Sequence, residues 1–270
     1  MPNFLFWNVN RKPLGDLIVT AALELDVDVL VLAESTVDPA GLLIRLNHIK
    51  TQYFFIRNFC PRIQLYVRFN SEFLRLVDES ERYSISRLKL PARAEILLVS
   101  AHLPSKREFT ASSQAQECAR LAYKIQVAEK AVGHQRTLFI GDLNVNPFED
   151  GMILANAFHA VMTKETAMRP PRTIQGEKYS YFYNPMWSHF GDGHNGAPAG
   201  TYYYEKSEHL IYFWNIFDQV LLRPELAVRF KPEDLKIVSR IGKTSLLLPN
   251  GRPDSKVGSD HLPILLELEF

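Results

Sequence analysis

Apolar positions along the chain alternate between two periods. Phe4-Leu5-Phe6-Trp7 is an apolar run that fits an opening strand. Leu14, Leu17, Ile18, Ala21, Ala22 and Leu25 then recur at helical spacing. Val27 to Ala33 is a β-branched run that fits a buried strand, and a helix is predicted around Ala40 to Leu46. From Tyr53 to Leu90 the pattern has period two, in segments Phe55 to Phe59, Ile63 to Phe69, Phe73 to Val77 and Tyr83 to Leu88. Turn residues between these segments predict antiparallel strands. Glu95 to Ala101 reads as a strand and Glu108 to Val132 as a long helix with a polar face. Thr137 to Ile140 reads as a short buried strand, followed by a loop and a helix near Asp150 to Phe158. Strands return at Gly200 to Tyr204, Ile216 to Leu222 and Ile264 to Phe270.

Helices in two batches among antiparallel strand runs predict two sheets packed face to face with helices outside. No composition shift, repeat or low-complexity linker divides residues 1–270, so one domain is expected. Composition narrows the class. With 46% hydrophobic and 23% charged residues, the chain is neither disordered nor collagen-like. Cys60 and Cys118 cannot staple a chain of 270 residues and read as buried thiols. Lys plus Arg is 31 against 30 for Asp plus Glu, so bulk charge does not drive binding to a polyanion, although a local basic patch can. The N-terminus lacks the basic and long apolar regions of a signal peptide, and no run reaches membrane-spanning length. A cytoplasmic protein without a membrane partner is expected, as a monomer.

Polar residues follow the apolar strands repeatedly. Asn8 follows Phe4 to Trp7, and Glu34 follows Val29 to Ala33. Leu97-Leu98-Val99 runs to His102, and Leu138-Phe139-Ile140 runs into Gly141-Asp142-Leu143-Asn144. Ile216-Phe217 runs to Asp218, and Ser259-Asp260-His261 precedes the last strand. One such residue is ordinarily a turn former or a helix cap. As a set they are chemically coherent. Glu34, Asp142 and Asp260 are hard oxygen ligands suited to Mg²⁺ or Mn²⁺. Asn8 and Asn144 suit orientation of a metal, a phosphate or a water. His102 and His261 suit phosphate neutralisation or proton transfer near neutral pH, with Asp218 fixing one of their tautomers. Phosphate ester hydrolysis needs these parts: a cation, a base that aims water, and a group that stabilises the leaving oxygen.

The same residues, in the same order, resemble the endonuclease/exonuclease/phosphatase superfamily, the DNase I-like fold. Asn8 sits in Phe6-Trp7-Asn8-Val9-Asn10, like the family's first-strand motif. Glu34 matches its metal-binding glutamate, and Ala101-His102-Leu103 its His-Leu motif. Gly141-Asp142-Leu143-Asn144 matches Gly-Asp-x-Asn, and Phe217-Asp218-Gln219-Val220-Leu221 is similar to Asp-Tyr-x-Leu. Ser259-Asp260-His261-Leu262-Pro263 matches the terminal Ser-Asp-His motif. The resemblance implies a four-layer α/β/β/α sandwich of two mixed sheets flanked by helices, with the site at one rim. It implies Glu34 as the main metal ligand, helped by Asn8 and Asp260. Asp142 would orient or deprotonate the attacking water, and Asn144 would position it or the phosphate. His261 would contact the scissile phosphate under the control of Asp218. His102 would stabilise the phosphate or leaving group, and a histidine there argues against close kinship with abasic-site endonucleases, which commonly carry Tyr. Two departures stand out: Ser100 replaces a frequent Asn, and Cys60-Pro61-Arg62-Ile63-Gln64 replaces a Gly-rich segment, so the substrate-facing surface is expected to differ.

Other features admit two readings. Residues 51–100 hold eight Lys or Arg and five Asp or Glu; Arg57, Arg62, Arg68 and Arg75 form either a solvated sheet face or edge or a track for a polyanion, the former preferred. Lys106 and Arg107, just past His102, are better placed to contact phosphate. Tyr202, Tyr203 and Tyr204 are expected mostly to pack, with one or two exposed for base stacking. Ser188 to His194 contains His189, Asp192 and His194 and reads either as a second metal cluster or as a flexible loop, the latter preferred. His159 and His209 are expected in surface or cap roles. The leading expectation is a Mg²⁺- or Mn²⁺-dependent phosphodiesterase acting on nucleic acid. The alternatives are a phosphoesterase of the same fold acting on a small phosphorylated metabolite or phospholipid head group, and an inactive binding domain.

Overall fold

A computed structural model describes residues 1–48, 53–192 and 197–270. The apolar run near the N-terminus forms the strand Asn3–Asn8, which pairs parallel with Val29–Ala33 and antiparallel with Ile264–Glu267. These three strands are the centre of a six-stranded sheet completed by Leu235–Ile237 on one side and by Ile63–Val67 and Phe54–Ile56 on the other. A seven-stranded sheet is built on a second parallel pair, Ile96–His102 beside Thr137–Asp142. Tyr83–Leu88 and Leu74–Glu79 continue it on one side; Asp218–Leu222, Phe182–Tyr183 and Ala160–Val161 continue it on the other.

Alternation along the strands assigns the layers. Ile96, Leu98, Leu138, Ile140, Val220 and Leu222 share a buried cluster with Phe4, Phe6 and Val31, so they face the other sheet. Leu97, Val99, Phe139 and Leu221 face the opposite way, onto Cys118, Leu121, Ala122 and Ile125 of the helix Ala111–Val132. Ile18, Ala21 and Ala22 of the helix Gly15–Glu24, with Leu42 and Leu46 of Pro39–Leu46, pack into the cluster of the six-stranded sheet. The result is a mixed α/β sandwich of two large mixed sheets flanked by helices. Cys60 and Cys118 are buried free thiols. No helix among the described residues is long and apolar enough to cross a membrane.

Several boundaries differ from the sequence reading, each for a physical reason. The long helix begins at Ala111 rather than Glu108, because the Thr110 hydroxyl accepts from the Ser113 amide at 3.3 Å and caps it. The helix predicted near Asp150 to Phe158 is the single turn Asp150–Ile153. Gly200 to Tyr204 is reduced to the two-residue strand Tyr202–Tyr203, paired with Trp214–Asn215. The strand expected from Ile216 starts at Asp218, because the carboxamide of Asn146 takes the Ile216 amide (2.9 Å) and holds it in a loop.

Candidate active site at the strand ends

The topology gathers the polar strand-end residues at one rim. Asn8 and Ala33 end one parallel pair in register, and His102 and Asp142 end the other. Asp218 begins a strand antiparallel to Thr137–Asp142, in register with Asp142, so it lies at the same rim. His261 precedes Ile264, which pairs with Phe6 near the end of the opening strand. Each partner strand thus runs in the direction that delivers its polar residue to the rim. Gly141 is required by close approach: a Cβ there would lie 2.3 Å from the Ala101 carbonyl oxygen.

Asp142 is the hub. Its Oδ2 accepts from Asn8 Nδ2 (2.8 Å) and its Oδ1 from the Asn144 amide (2.9 Å). His261 Nδ1 lies 2.8 Å from Asp218 Oδ2 and 4.0 Å from Asp142 Oδ2. His102 Nε2 lies 3.3 Å from Glu34 Oε1 and 3.7 Å from Asp142 Oδ2. Asn10 links two further residues, its amide donating to Asn8 Oδ1 and its Nδ2 to Asp260 Oδ1, both at 2.9 Å. Arg11 ties its own amide to the Glu34 carbonyl (2.8 Å) and its Nε to Glu34 Oε2 (3.5 Å). Asn10, Arg11, Glu34 and Asn144 all have φ between 47° and 56°, a region that costs non-glycine residues energy and clusters at functional sites.

Electrostatics separate the two histidines. Burial opposes charge on His261, but the Asp218 and Asp142 carboxylates outweigh it and push the imidazole up to about 10. Burial holds His102 below its ordinary value, against the pull of Asp142. Burial raises Asp142, repulsion from Asp218 adds to this, and His261 opposes it.

These groups border one cavity of about 670 Å³, lined by Asn8, Glu34, His102, Asp142, Asn144, Asp260 and His261, with Lys106 and Arg107 at its edge. Lys106 pairs with Glu149 and lies over the rings of Tyr212 (5.6 Å) and Phe217 (5.9 Å). Asp218 lies behind His261, fully buried. The hard oxygen donors Glu34, Asn8 and Asp260 suit a small divalent cation. Asp142, Asp218 and His261 also bring ligand atoms within 4.8 Å of one another. In that trio Asp218 Oδ2 already accepts from His261 Nδ1 and Asp142 from Asn8 and the Asn144 amide, while Asp218 Oδ1 is buried without a partner.

Other sequence expectations resolve differently. Only Arg62 of the four arginines borders the cavity; Arg68 is bound to Asp26 and Asp28 instead, and Arg57 and Arg75 point to solvent, so no arginine track forms. Tyr202 stacks against Phe217 (5.3 Å) and lies 4.7 Å from the His261 ring, while Tyr203 packs on Trp214. His159 is neither exposed nor a cap: it is buried against Tyr181, ring centroids 4.1 Å apart. His209 is exposed. Of the second cluster, His189 lies in the turn Pro185–His189, whereas Gly193 and His194 lie outside the described residues.

Sequence reasoning missed Thr201. Its buried hydroxyl accepts from the amides of Phe217 (3.2 Å) and Asp218 (3.3 Å), and its carbonyl accepts from Leu262 (2.8 Å). It thereby pins the chain segments that carry Asp218 and His261. A lone threonine after a glycine carries no sequence signal for such a clamp.

No family model matches this chain, and no curated protein matches it. Solved structures do. An endonuclease/exonuclease/phosphatase family protein from Leptotrichia buccalis aligns at 14% identity over 100% of both chains, with a TM-score of 0.57. D. rerio TDP2 complexed with single strand DNA product aligns at 14% identity over 100% of this chain and 99% of that one, TM-score 0.56. An AP endonuclease from Archaeoglobus fulgidus aligns at 14% identity over 100% of both chains, TM-score 0.56. With two mixed sheets, outer helices and polar residues gathered at one rim, the chain has the DNase I-like fold of the endonuclease/exonuclease/phosphatase superfamily.

Proposed function

We propose that this chain is a divalent-metal-dependent phosphodiesterase that cleaves nucleic acid, formed by a single domain. The observation that carries this reading is the convergence of Asp142, the Asp218–His261 pair, His102 and Glu34 on one cavity bordered by cations and aromatic rings. The similarity in fold to a protein complexed with single strand DNA product supports a nucleic-acid substrate.

Each residue has a task its surroundings suit. Asp142, buried and raised, is the base that takes a proton from the attacking water. Asn8 and the Asn144 amide hold its two oxygens in place. Asn144 gives its own Nδ2 to the Leu103 carbonyl (3.0 Å), which leaves its Oδ1 to orient that water or the phosphate. Asp218 accepts the hydrogen bond from Nδ1–H of His261, so Nε2 is the nitrogen left to donate to a phosphate oxygen. His102, neutral, offers a hydrogen bond rather than a charge. Lys106 and Arg107 add cationic character at the edge. Glu34, Asn8 and Asp260 would hold Mg²⁺ or Mn²⁺. Such an ion supplies Lewis-acid stabilisation of charge on the phosphate oxygens.

The test is incubation with supercoiled plasmid, single-stranded DNA and RNA, with Mg²⁺ or Mn²⁺ and with EDTA. Cleavage that needs the metal and is lost in Asp142→Ala supports the reading; cleavage that survives EDTA overturns it. A second reading, a phosphoesterase of small phosphorylated molecules, is favoured by the cavity volume, which lies in the range of small-ligand pockets. Turnover of small phosphate esters with no cleavage of any nucleic acid selects it.

A further inference from the structure

Arg62 and Arg82 reach the cavity from different sheets. Arg62 precedes Ile63–Val67 of the six-stranded sheet, in the segment Cys60 to Gln64. Arg82 precedes Tyr83–Leu88 of the seven-stranded sheet, and its carbonyl accepts from the His102 amide at 2.9 Å. The Arg62 carbonyl accepts from the Glu34 amide at 3.2 Å, and Glu34 Oε1 lies 3.3 Å from His102 Nε2, so both arginines flank the His102 side. The His261 side carries rings instead: Tyr202, Tyr204 and Phe217.

Arg68 and Arg223, which serve structure, have every guanidinium nitrogen bonded. Arg68 bonds Asp26 and Asp28 through all three nitrogens, and Arg223 bonds Glu129 and the carbonyls of Ser180 and Tyr181 through all three. Arg82 differs. Its Nη2 donates to Glu108 (2.9 Å) and its Nε faces Glu81 at 3.8 Å, but Nη1 is buried with no partner. Among the described residues that line the cavity, two hold a buried side-chain polar atom without a partner: Arg82 Nη1 and His102 Nδ1, in residues joined by the backbone bond from the His102 amide. A buried donor left unpaired is costly unless a ligand completes it. A phosphate is the chemical match for two guanidinium groups that line one cavity, since its oxygens accept from the planar fork.

We propose that Arg62 and Arg82 form a subsite for a second phosphate of the substrate, next to the scissile phosphodiester on the His102 side. The inference rests on the phosphodiesterase reading and names its substrate class: a phosphodiester flanked by another phosphate, supplied by a terminal monoester or by the next nucleotide. Arg62 and Arg82 are specificity residues and take no part in bond breaking.

The experiment compares thymidine dinucleotides bearing a phosphate at the 5′ end, at the 3′ end, or at neither, together with the trinucleotide, in wild type, Arg62→Gln and Arg82→Gln. At least one substrate with a second phosphate should be cleaved with a kcat/KM about tenfold or more above the bare dinucleotide. Each variant should lower that ratio toward one. A ratio near one in wild type, or variants that lower every substrate by the same factor, overturns the subsite. Calorimetric titration with thymidine 3′,5′-bisphosphate separates this from failure of the phosphodiesterase reading. If nothing is cleaved but the bisphosphate binds wild type about tenfold tighter than folded Arg82→Gln, the subsite stands and the catalytic assignment falls. Equal binding to wild type and both variants removes the subsite.

Discussion

His261 Nδ1 lies 2.8 Å from Asp218 Oδ2, with both side chains withdrawn from solvent and the Asp142 carboxylate 4.0 Å from the same nitrogen. A cation between two carboxylates stays charged despite burial. In the metal-free protein we expect His261 to remain protonated across neutral pH and to titrate near 10, while His102 stays neutral at pH 7. Asp218→Asn should bring the His261 titration down and lower turnover by roughly 10²- to 10⁴-fold. Nitrogen-detected NMR of the imidazoles reads the first effect and single-turnover kinetics the second. A His261 that titrates near 6.5 in the wild type sinks the assignment.

The same pair has a signature in stability. A histidine whose folded-state pKa exceeds the unfolded value of 6.5 stabilises the fold fully below that value. The contribution is lost as pH rises through about 10. Chemical denaturation between pH 6 and 10 should therefore show a decline in the metal-free wild type that is flattened in His261→Gln. Parallel profiles for the two proteins count against the coupling.

Much of the site was legible because each apolar strand ends in a residue whose polarity has no packing purpose. Asn8, Glu34, His102 and Asp142 all stand where a buried run meets the rim. The start of the Asp218 strand was not legible. Ile216 and Phe217 look like strand residues, yet their backbone bonds go to Asn146 and Thr201, which are remote in sequence. The track reading of the arginines fails for a related reason. Spacing along strands shows which face a side chain takes but not that Asp26 and Asp28 wait beside Arg68. The strained turn at Asn10 and Arg11 has no compositional mark, because glycine, the usual sign of positive φ, is absent from it.

Glu129 and Arg223 form a buried ion pair 94 residues apart in sequence, with Glu129 also accepting from Thr137 Oγ1 (2.6 Å). Arg223 follows the strand Asp218–Leu222 and stacks over Phe182 at 3.9 Å. Arg223→Ala leaves a carboxylate buried without its partner and should cost about 3–5 kcal/mol. Urea denaturation measures it. A loss within about 0.5 kcal/mol, the range of ordinary surface substitutions, contradicts the pair's structural role.

Gly141 separates a packing requirement from chemistry. Gly141→Ala sets a methyl group 2.3 Å from the Ala101 carbonyl, against backbone that cannot rotate away. The strands carrying His102 and Asp142 must separate, at a cost of about 1–3 kcal/mol. Activity should fall although no polar group is removed. A crystal structure of the variant should show Asp142 displaced from Asn8; an unchanged 2.8 Å contact with full activity contradicts this account.

Asn10 offers the sharpest test of the proposed metal ligands, because it touches Asn8 and Asp260 without being one of them. Its φ of 47° suits glycine at no steric cost, so Asn10→Gly keeps the turn while deleting the bond from Nδ2 to Asp260. Released from that bond, Asp260 Oδ1 keeps only the Ser259 hydroxyl (3.2 Å), and the Mg²⁺ concentration for half-maximal activity should rise about tenfold or more. At saturating Mg²⁺ the turnover should return toward the wild-type value, since Asp142, Asp218 and His261 are untouched. Asn10→Ala should combine the same metal defect with a loss of stability, because alanine resists that φ. If Asn10→Gly leaves the Mg²⁺ requirement where it was, Asp260 is not a ligand held by this turn. If turnover stays low at every Mg²⁺ concentration, Asn10 serves the chemistry through Asn8 and Asp142 rather than through the ion.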